Sequence, residues 1–271
     1  MILEAYRQLL KLPRFKGRDR LISFCREKCF QKQTALLIHN IQFEPDPFEW
    51  AQSDLLRDGC LEPHTTNLYG TILRPGDTYL DVGAHVGFHT LLARHFIGEE
   101  GHVIAVEPQP YNCSKILDNW RANDFENLFL YVAACGDEEG QVALKPPSKS
   151  DTSRLSLAGP SENDGCQEFE VPLRTLDNIL RERRVERVRL LKIDVEGLER
   201  KVINGLKDRL SSVDHFIIEL LDASPNPSDD TIAITKKLRD GGFRLNTVTG
   251  EVWDGRSPLP ENNLLATHHA I

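Results

Sequence analysis

Residues 78–108 read TYLDVGAHVGFHTLLARHFIGEEGHVIAVEP. An apolar run (Tyr79, Leu80, Asp81, Val82) ends in an acid and a glycine turn, Gly83 to Gly87. An apolar helical segment follows from Phe88 to about Phe96. A second apolar run, Val103 to Val106, ends at Glu107 and Pro108. Strand, glycine turn, helix and strand make the opening βαβ unit of a doubly wound parallel sheet. Ligands in such sheets lie beyond the carboxyl ends of the strands. Gly83 is expected to turn the chain sharply and admit a ligand to the backbone. Gly87 is expected to bring the helix close to the strand, and the helix N-terminus to offer free N–H groups. Glu107 is placed to accept two ribose hydroxyls, because an ionised carboxylate only accepts.

The turn also says which nucleotide is expected. A dinucleotide site wants G-x-G-x-x-G, with the middle glycine admitting a pyrophosphate. Here His85 stands at that position in Gly83-Ala84-His85-Val86-Gly87, which argues against a nicotinamide oxidoreductase. No G-x-x-x-x-G-K-[ST] loop occurs. An adenosine ligand without phosphates fits better, and S-adenosylmethionine is the obvious one.

Composition narrows the class. The chain has 271 residues, 40% hydrophobic, with a net charge of −8, which permits one sizeable α/β domain plus an extension. A nucleic-acid partner is not expected from an acidic chain. No run of 18 apolar residues occurs, so no membrane span is expected. The N-terminus makes a poor secretion signal. Six cysteines without C-x-x-C spacing read as reduced thiols, and the expected location is cytoplasmic.

Along the chain, residues 1–60 read as an N-terminal helical extension or lid, and residues 61–271 as the nucleotide-binding domain. Leu3, Tyr6, Leu9 and Leu10 recur at helical spacing before Pro13. A second helix is expected over 18–38, with Cys25 and Cys29 on its apolar side. The basic residues between Arg7 and Arg20 read as a solvated face. Residues 40–60, with Trp50, read as a linker or lid. A helix from Pro63 to Leu73 precedes the first strand. Later strands are expected at 128–134, 142–144, 168–173, 189–194, 215–220, 243–248 and 264–269. Helices are expected at 111–123, 175–184, 198–206 and 231–240. A polar loop spans 145–165. The sum is about seven main strands closing in an antiparallel hairpin.

Three segments, DVGAHVGFHTLLA (81–93), VEP (106–108) and VPLRTLD…LLKIDVEGLE (171–199), resemble the FkbM family of S-adenosylmethionine-dependent methyltransferases. The lead-in GCLEPHT (59–65) fits the family's glutamate-proline segment. The resemblance covers roughly residues 55–220. It departs at His85, where the family usually has Asn, and at His89, where Tyr is frequent. It implies a class I methyltransferase fold, Rossmann-like. It also implies methyl transfer, usually to a hydroxyl of a sugar, a polyketide or a similar small molecule. Carried over by position, Asp81, Gly83, His85, Gly87, Glu107 and Pro108 are cofactor residues. Asp137 is expected near the adenine edge, and Glu62 at the methionine end.

An alcohol is a weak nucleophile at neutral pH, so a base or a metal should sit near the methyl. Asp194 ends the fourth main strand, Glu196 follows in the same turn, and Glu219 ends the fifth. These three are the expected catalytic acids, forming a base site or holding Mg²⁺, with Lys192 beside Asp194. His85 and His89, four residues apart, lack a third ligand for zinc, and His64 carries no motif. A second reading stays open: a non-catalytic module with this fold that binds cofactor or a partner. N-methylation stays open as well.

Overall fold

The computed structural model describes residues 2–11, 36–45, 53–145, 156–157, 168–221 and 226–268, with 13, 17, 20–22, 24–25 and 223 between them. Cys29, Trp50 and most of the 145–165 loop lie outside the described residues, as does the side chain of Arg7.

Helix α1 (Ile2–Lys11) opens the chain. The expected helix over 18–38 is corrected at its end: β1 (Leu36–Ile38) and β2 (Ile41–Phe43) form a hairpin. Leu36, Ile38, Ile41 and Phe43 alternate with exposed residues, a period of two rather than 3.6. His39 and Asn40, both at positive φ, make the tight turn. The hairpin is not a free lid. Phe43 packs edge-on against Phe88, and the amides of Gln42 and Glu44 donate to Asn123 and Asn119.

Helices α2 (Ser53–Asp58) and α3 (Pro63–Ile72) lead to β3 (Thr78–Val82). Then come α4 (Phe88–Ile97), β4 (His102–Val106), α5 (Pro110–Ala122) and β5 (Leu128–Tyr131). The expected strand 128–134 is broken after Tyr131. The amide of Glu107 donates to the Tyr131 carbonyl and Ala133 donates back to the Glu107 carbonyl, so the chain turns out of the sheet there. β6 (Ala134–Cys135), β7 (Gly140–Lys145), β8 (Ser156–Leu157) and β9 (Phe169–Arg174) form a separate small sheet in the order β6-β9-β7-β8. After α6 (Leu176–Glu182) come β10 (Val188–Ile193), α7 (Glu199–Asn204), β11 (Val213–Glu219) and α8 (Asp229–Asp240). The hairpin β12 (Phe243–Thr247) and β13 (Asn263–His268) closes the fold.

The main sheet has seven strands in the order β12-β13-β11-β10-β3-β4-β5, and only β13 runs against its neighbours. The order reverses beside β3, where an open α/β sheet leaves its ligand crevice. Each central strand is buried on both faces, which is why it reads as a near-continuous apolar run. Alternate residues separate into two cores. Leu80, Leu191, Phe216 and Ile218 join α6, α7 and α8 on one face. Tyr79, Leu190, Ile217 and Leu265 join α3, α4, the β1–β2 hairpin and Tyr6 on the other.

Candidate active site

The period of two also sorts the polar residues. Tyr79, Leu190, Ile217 and Leu265 share the α3/α4 face, so Asp81, Lys192, Glu219 and Asn263 project to that face as well. Lys192 is the register partner of Asp81, and Glu219 that of Asn263. Asp194, just beyond β10, stays on this face, because Lys192 Nζ donates to its Oδ2 at 2.6 Å. One ionic layer therefore crosses the carboxyl ends of β3, β10 and β11.

Gly83 joins this layer to the glycine turn after β3. Its φ is +83, and a Cβ there would lie 1.8 Å from the Asp194 carbonyl oxygen. Gly83 is thus required by close approach to β10, where the sequence suggested approach to a ligand. Gly87, at φ +87, would put a Cβ 2.9 Å from Ile116, so it admits α5 against the start of α4 rather than α4 against the strand. His85 between them holds positive φ, 50°, and its amide donates to Glu107 Oε2 at 2.8 Å.

Glu107 is 4% exposed. Its Oε1 accepts from the Gln109 amide at 2.9 Å and from Asn112 Nδ2 at 3.1 Å. Half-buried Pro108 lies between Glu107 and the Gln109 amide that bonds back to it. Burial pushes the Glu107 carboxyl upward, and His85 with these donors opposes that. Val132, 44% exposed, lies between the two backbone bonds that tie β5's end to Glu107. Asp137 is exposed, in the turn leading into β7, and the amide of Ala133 donates to the Glu107 carbonyl.

Asp81, 1% exposed, accepts from Thr90 Oγ1 at 2.6 Å, and burial raises its pKa. Tyr69 and Tyr79 share a buried hydrogen bond beside it. Glu62 comes from the residue before α3. Its Oε2 accepts from Asn263 Nδ2 at 2.9 Å and lies 3.3 Å from His89 Nε2. Burial opposes its ionisation, but Lys192 and His89 outweigh burial and hold Glu62 at about 2. His89 stacks on Tyr69, and its Nε2 lies against the Glu62 carboxylate. His64 is exposed; its backbone N–H, with that of Thr65, donates to Glu261.

The three expected catalytic acids do converge. One carboxylate oxygen each from Asp194, Glu196 and Glu219 lies within 4.8 Å of the others. Burial and the Asp194 charge push the Glu219 carboxyl far up, while Lys192 overcomes burial to hold Asp194 low. The charge at this cluster is met by the Lys192 ammonium, 2% exposed. Burial works against that ammonium, but Asp194, Glu62 and Asp81 keep it charged. Glu199, rather than Glu196, closes the turn into α7, accepting from the Gly197 amide at 2.9 Å.

The sequence reading undervalued Lys192, Asn263 and Glu261. One signal was available: a cation set between apolar residues in Leu190-Leu191-Lys192-Ile193, at the inner end of the strand, is hard to solvate there and should meet a charge.

A model of the methyltransferase FkbM domain matches residues 81–245. The chain belongs to the FkbM methyltransferase family. The match spans the glycine turn, Glu107, the acid cluster and β12. Its seven-stranded order, with one antiparallel strand near the edge, is the class I methyltransferase sheet. Among curated relatives, the arsenite methyltransferase of Halobacterium salinarum is 43% identical over 64 residues, 24% of this FkbM chain and 16% of that protein. The hexuronic acid methyltransferase AglP of Haloferax volcanii is 25% identical over 179 residues, 62% of this chain and 69% of that one. The 31-O-demethyl-FK506 methyltransferase FkbM of Streptomyces tacrolimicus is 27% identical over 184 residues, 57% and 67% of the two chains. No helix among the described residues is long and apolar enough to cross a membrane.

Proposed function

We propose that this protein is an S-adenosylmethionine-dependent O-methyltransferase whose acceptor is a hydroxyl on a small molecule or sugar. The observation that carries the reading is the close approach of Gly83 to the Asp194 carbonyl, which brings the half-buried carboxylates of Asp194 and Glu219 near the turn that would hold the cofactor. The residues suit that cofactor. Glu107 is held by its donors where it could accept ribose hydroxyls, Val132 and Pro108 offer apolar surface beside it, and His85 stands where a pyrophosphate-binding turn needs glycine. The names of two relatives, a hexuronic acid methyltransferase and a demethyl-FK506 methyltransferase, support a hydroxylated acceptor.

When bound, S-adenosylmethionine would supply a sulfonium-activated methyl carbon; the acceptor's hydroxyl oxygen would take the methyl, S-adenosylhomocysteine would leave as the thioether, and the hydroxyl proton would be released. The protein's part is to hold the acceptor oxygen in line and to take that proton. Asp194, kept ionised by Lys192, is the group at the sheet edge able to accept it. Glu62 and Asn263 wall the same side. The Lys192 ammonium meets part of the acid cluster's charge, through Asp194.

Calorimetric titration with S-adenosylhomocysteine, with NAD as the control, tests the cofactor. Micromolar binding that is lost in Glu107→Ala is expected. A folded wild type that binds NAD instead removes the reading. Methyl transfer from labelled S-adenosylmethionine to uronic acids and polyol acceptors, abolished in Asp194→Ala while S-adenosylhomocysteine still binds, tests the base. Cofactor binding with no product across such acceptors favours the non-catalytic binding module.

A further inference from the structure

We propose that Asp194, Glu196 and Glu219 form a binding site for one hard divalent cation, Mg²⁺ or Mn²⁺, at the carboxyl edge of β10 and β11. The purpose of the ion rests on the methyltransferase reading, since a dication there would polarise the acceptor's hydroxyl. Its binding does not depend on that reading.

Three observations carry the site. The first is geometric. One carboxylate oxygen from each acid lies within 4.8 Å of the others, so a single ion can reach all three. Asp194 follows β10, Glu196 stands in the next turn at φ 54, and Glu219 closes β11. All three are half-buried, which leaves an ion a path from water. Carboxylate oxygens are hard donors, and an octahedral ion keeps its other positions for water or an acceptor oxygen.

The second observation is charge. The three carboxylates share one ammonium, that of Lys192, which lies 2.6 Å from Asp194 Oδ2. Ionised, the cluster keeps an excess of two negative charges, and a dication cancels it. Lys192 does not block the ion. It is 2% exposed and takes Asp194 through one oxygen, and a carboxylate has a second. The neighbouring acids are committed elsewhere. Glu62 accepts from Asn263 and lies against His89, and Asp81 accepts from Thr90.

The third observation is an acceptor with nothing to accept. Asn263 is 0% exposed, and its Oδ1 has no hydrogen-bond partner. Its Nδ2 donates to Glu62 Oε2 and, at 3.1 Å, to Thr65 Oγ1, which fixes the amide's orientation. Asn263 is the register partner of Glu219, so the two side chains are neighbours on one face. A buried carbonyl oxygen left unpaired costs stability. A cation beside Glu219 would meet it with a fourth hard oxygen.

The test is electron paramagnetic resonance of Mn²⁺ added to the full chain after chelator treatment, because the resolved signal of free Mn²⁺ is lost on binding. A single Mn²⁺ per chain with a Kd below about 1 mM is expected, displaced by Mg²⁺. Glu196→Gln and Glu219→Gln, each confirmed as folded by circular dichroism, are expected to weaken binding at least about tenfold. A wild type that leaves the Mn²⁺ signal intact overturns the proposal without any variant. Binding that survives both substitutions unchanged puts the ion elsewhere and overturns it as well. Calorimetry with S-adenosylhomocysteine on the same samples separates the two readings. Mn²⁺ binding without S-adenosylhomocysteine binding removes the methyltransferase reading alone, and the reverse removes this one alone.

Discussion

At position 83 the chain permits one residue type. The backbone sits at φ +83, and any Cβ would run into the Asp194 carbonyl at 1.8 Å. Gly83→Ala combines left-handed strain, roughly 1–3 kcal/mol, with overpacking of similar size. It is expected to lower the urea midpoint clearly and to weaken S-adenosylhomocysteine binding. A wild-type midpoint would show that β10 can yield. Glu62 gives a pH prediction. Its folded pKa, about 2, lies below the unfolded value of 4.5, so its ionised form stabilises the fold. That contribution is complete above about pH 4.5 and disappears as pH falls through about 2. Chemical denaturation should therefore find the wild type more stable than Glu62→Gln at pH 6, with the difference closing below pH 4. A constant difference across that range would mean that Glu62 acts through packing alone.

At the scale of elements, α3 is held in place by a residue far along the chain. Its N-terminal position, Glu62, makes no side-chain cap and sits at φ 46. Glu261 supplies the missing acceptor, with Oε1 taking the His64 amide at 2.8 Å and Oε2 the Thr65 amide at 2.9 Å. This leaves the Glu62 carboxylate available to His89 and Asn263 in the ionic layer. Removal of an N-terminal cap costs about 1 kcal/mol. Glu261→Ala should lose about that much stability and speed hydrogen exchange at His64 and Thr65 without abolishing folding. Unchanged exchange at these two amides would show that the cap has no weight. The β1–β2 hairpin shows the same dependence on partners. Its turn residues are in the sequence, but a three-residue strand is too short to outweigh the helical pattern upstream until α4 and α5 are there to bury Phe43.

For the whole molecule, the crevice proposed for the cofactor lies where the strand order reverses, between the β3 turn, the end of β4 and the end of β10. No single segment contains it, so a ligand there links elements that are far apart in sequence and stabilises all of them together. S-adenosylhomocysteine at a hundredfold excess over its Kd should add about 2.7 kcal/mol, or roughly 5–10 °C in Tm for a chain of this size. The gain should vanish in Glu107→Ala. An unchanged Tm for the wild type would mean that the site does not bind the ligand in this state.

The sequence by itself determined the main sheet. Strands buried on both faces must be apolar throughout, so β3, β4, β10 and β11 announced themselves, and the acids at their ends marked the edge proposed to be functional. Asp81, Glu107, Asp194 and Glu219 were legible because a carboxylate closing an apolar run has few structural reasons to be there. Only the tertiary structure decided which of these acids meet, which one Lys192 favours, and what the glycines are for. Those outcomes depend on register between strands more than a hundred residues apart and on side-chain parity across the sheet. The small sheet of β6–β9 and the capping of α3 by Glu261 were hidden for the same reason: their hydrogen bonds join segments whose local patterns give no sign of one another.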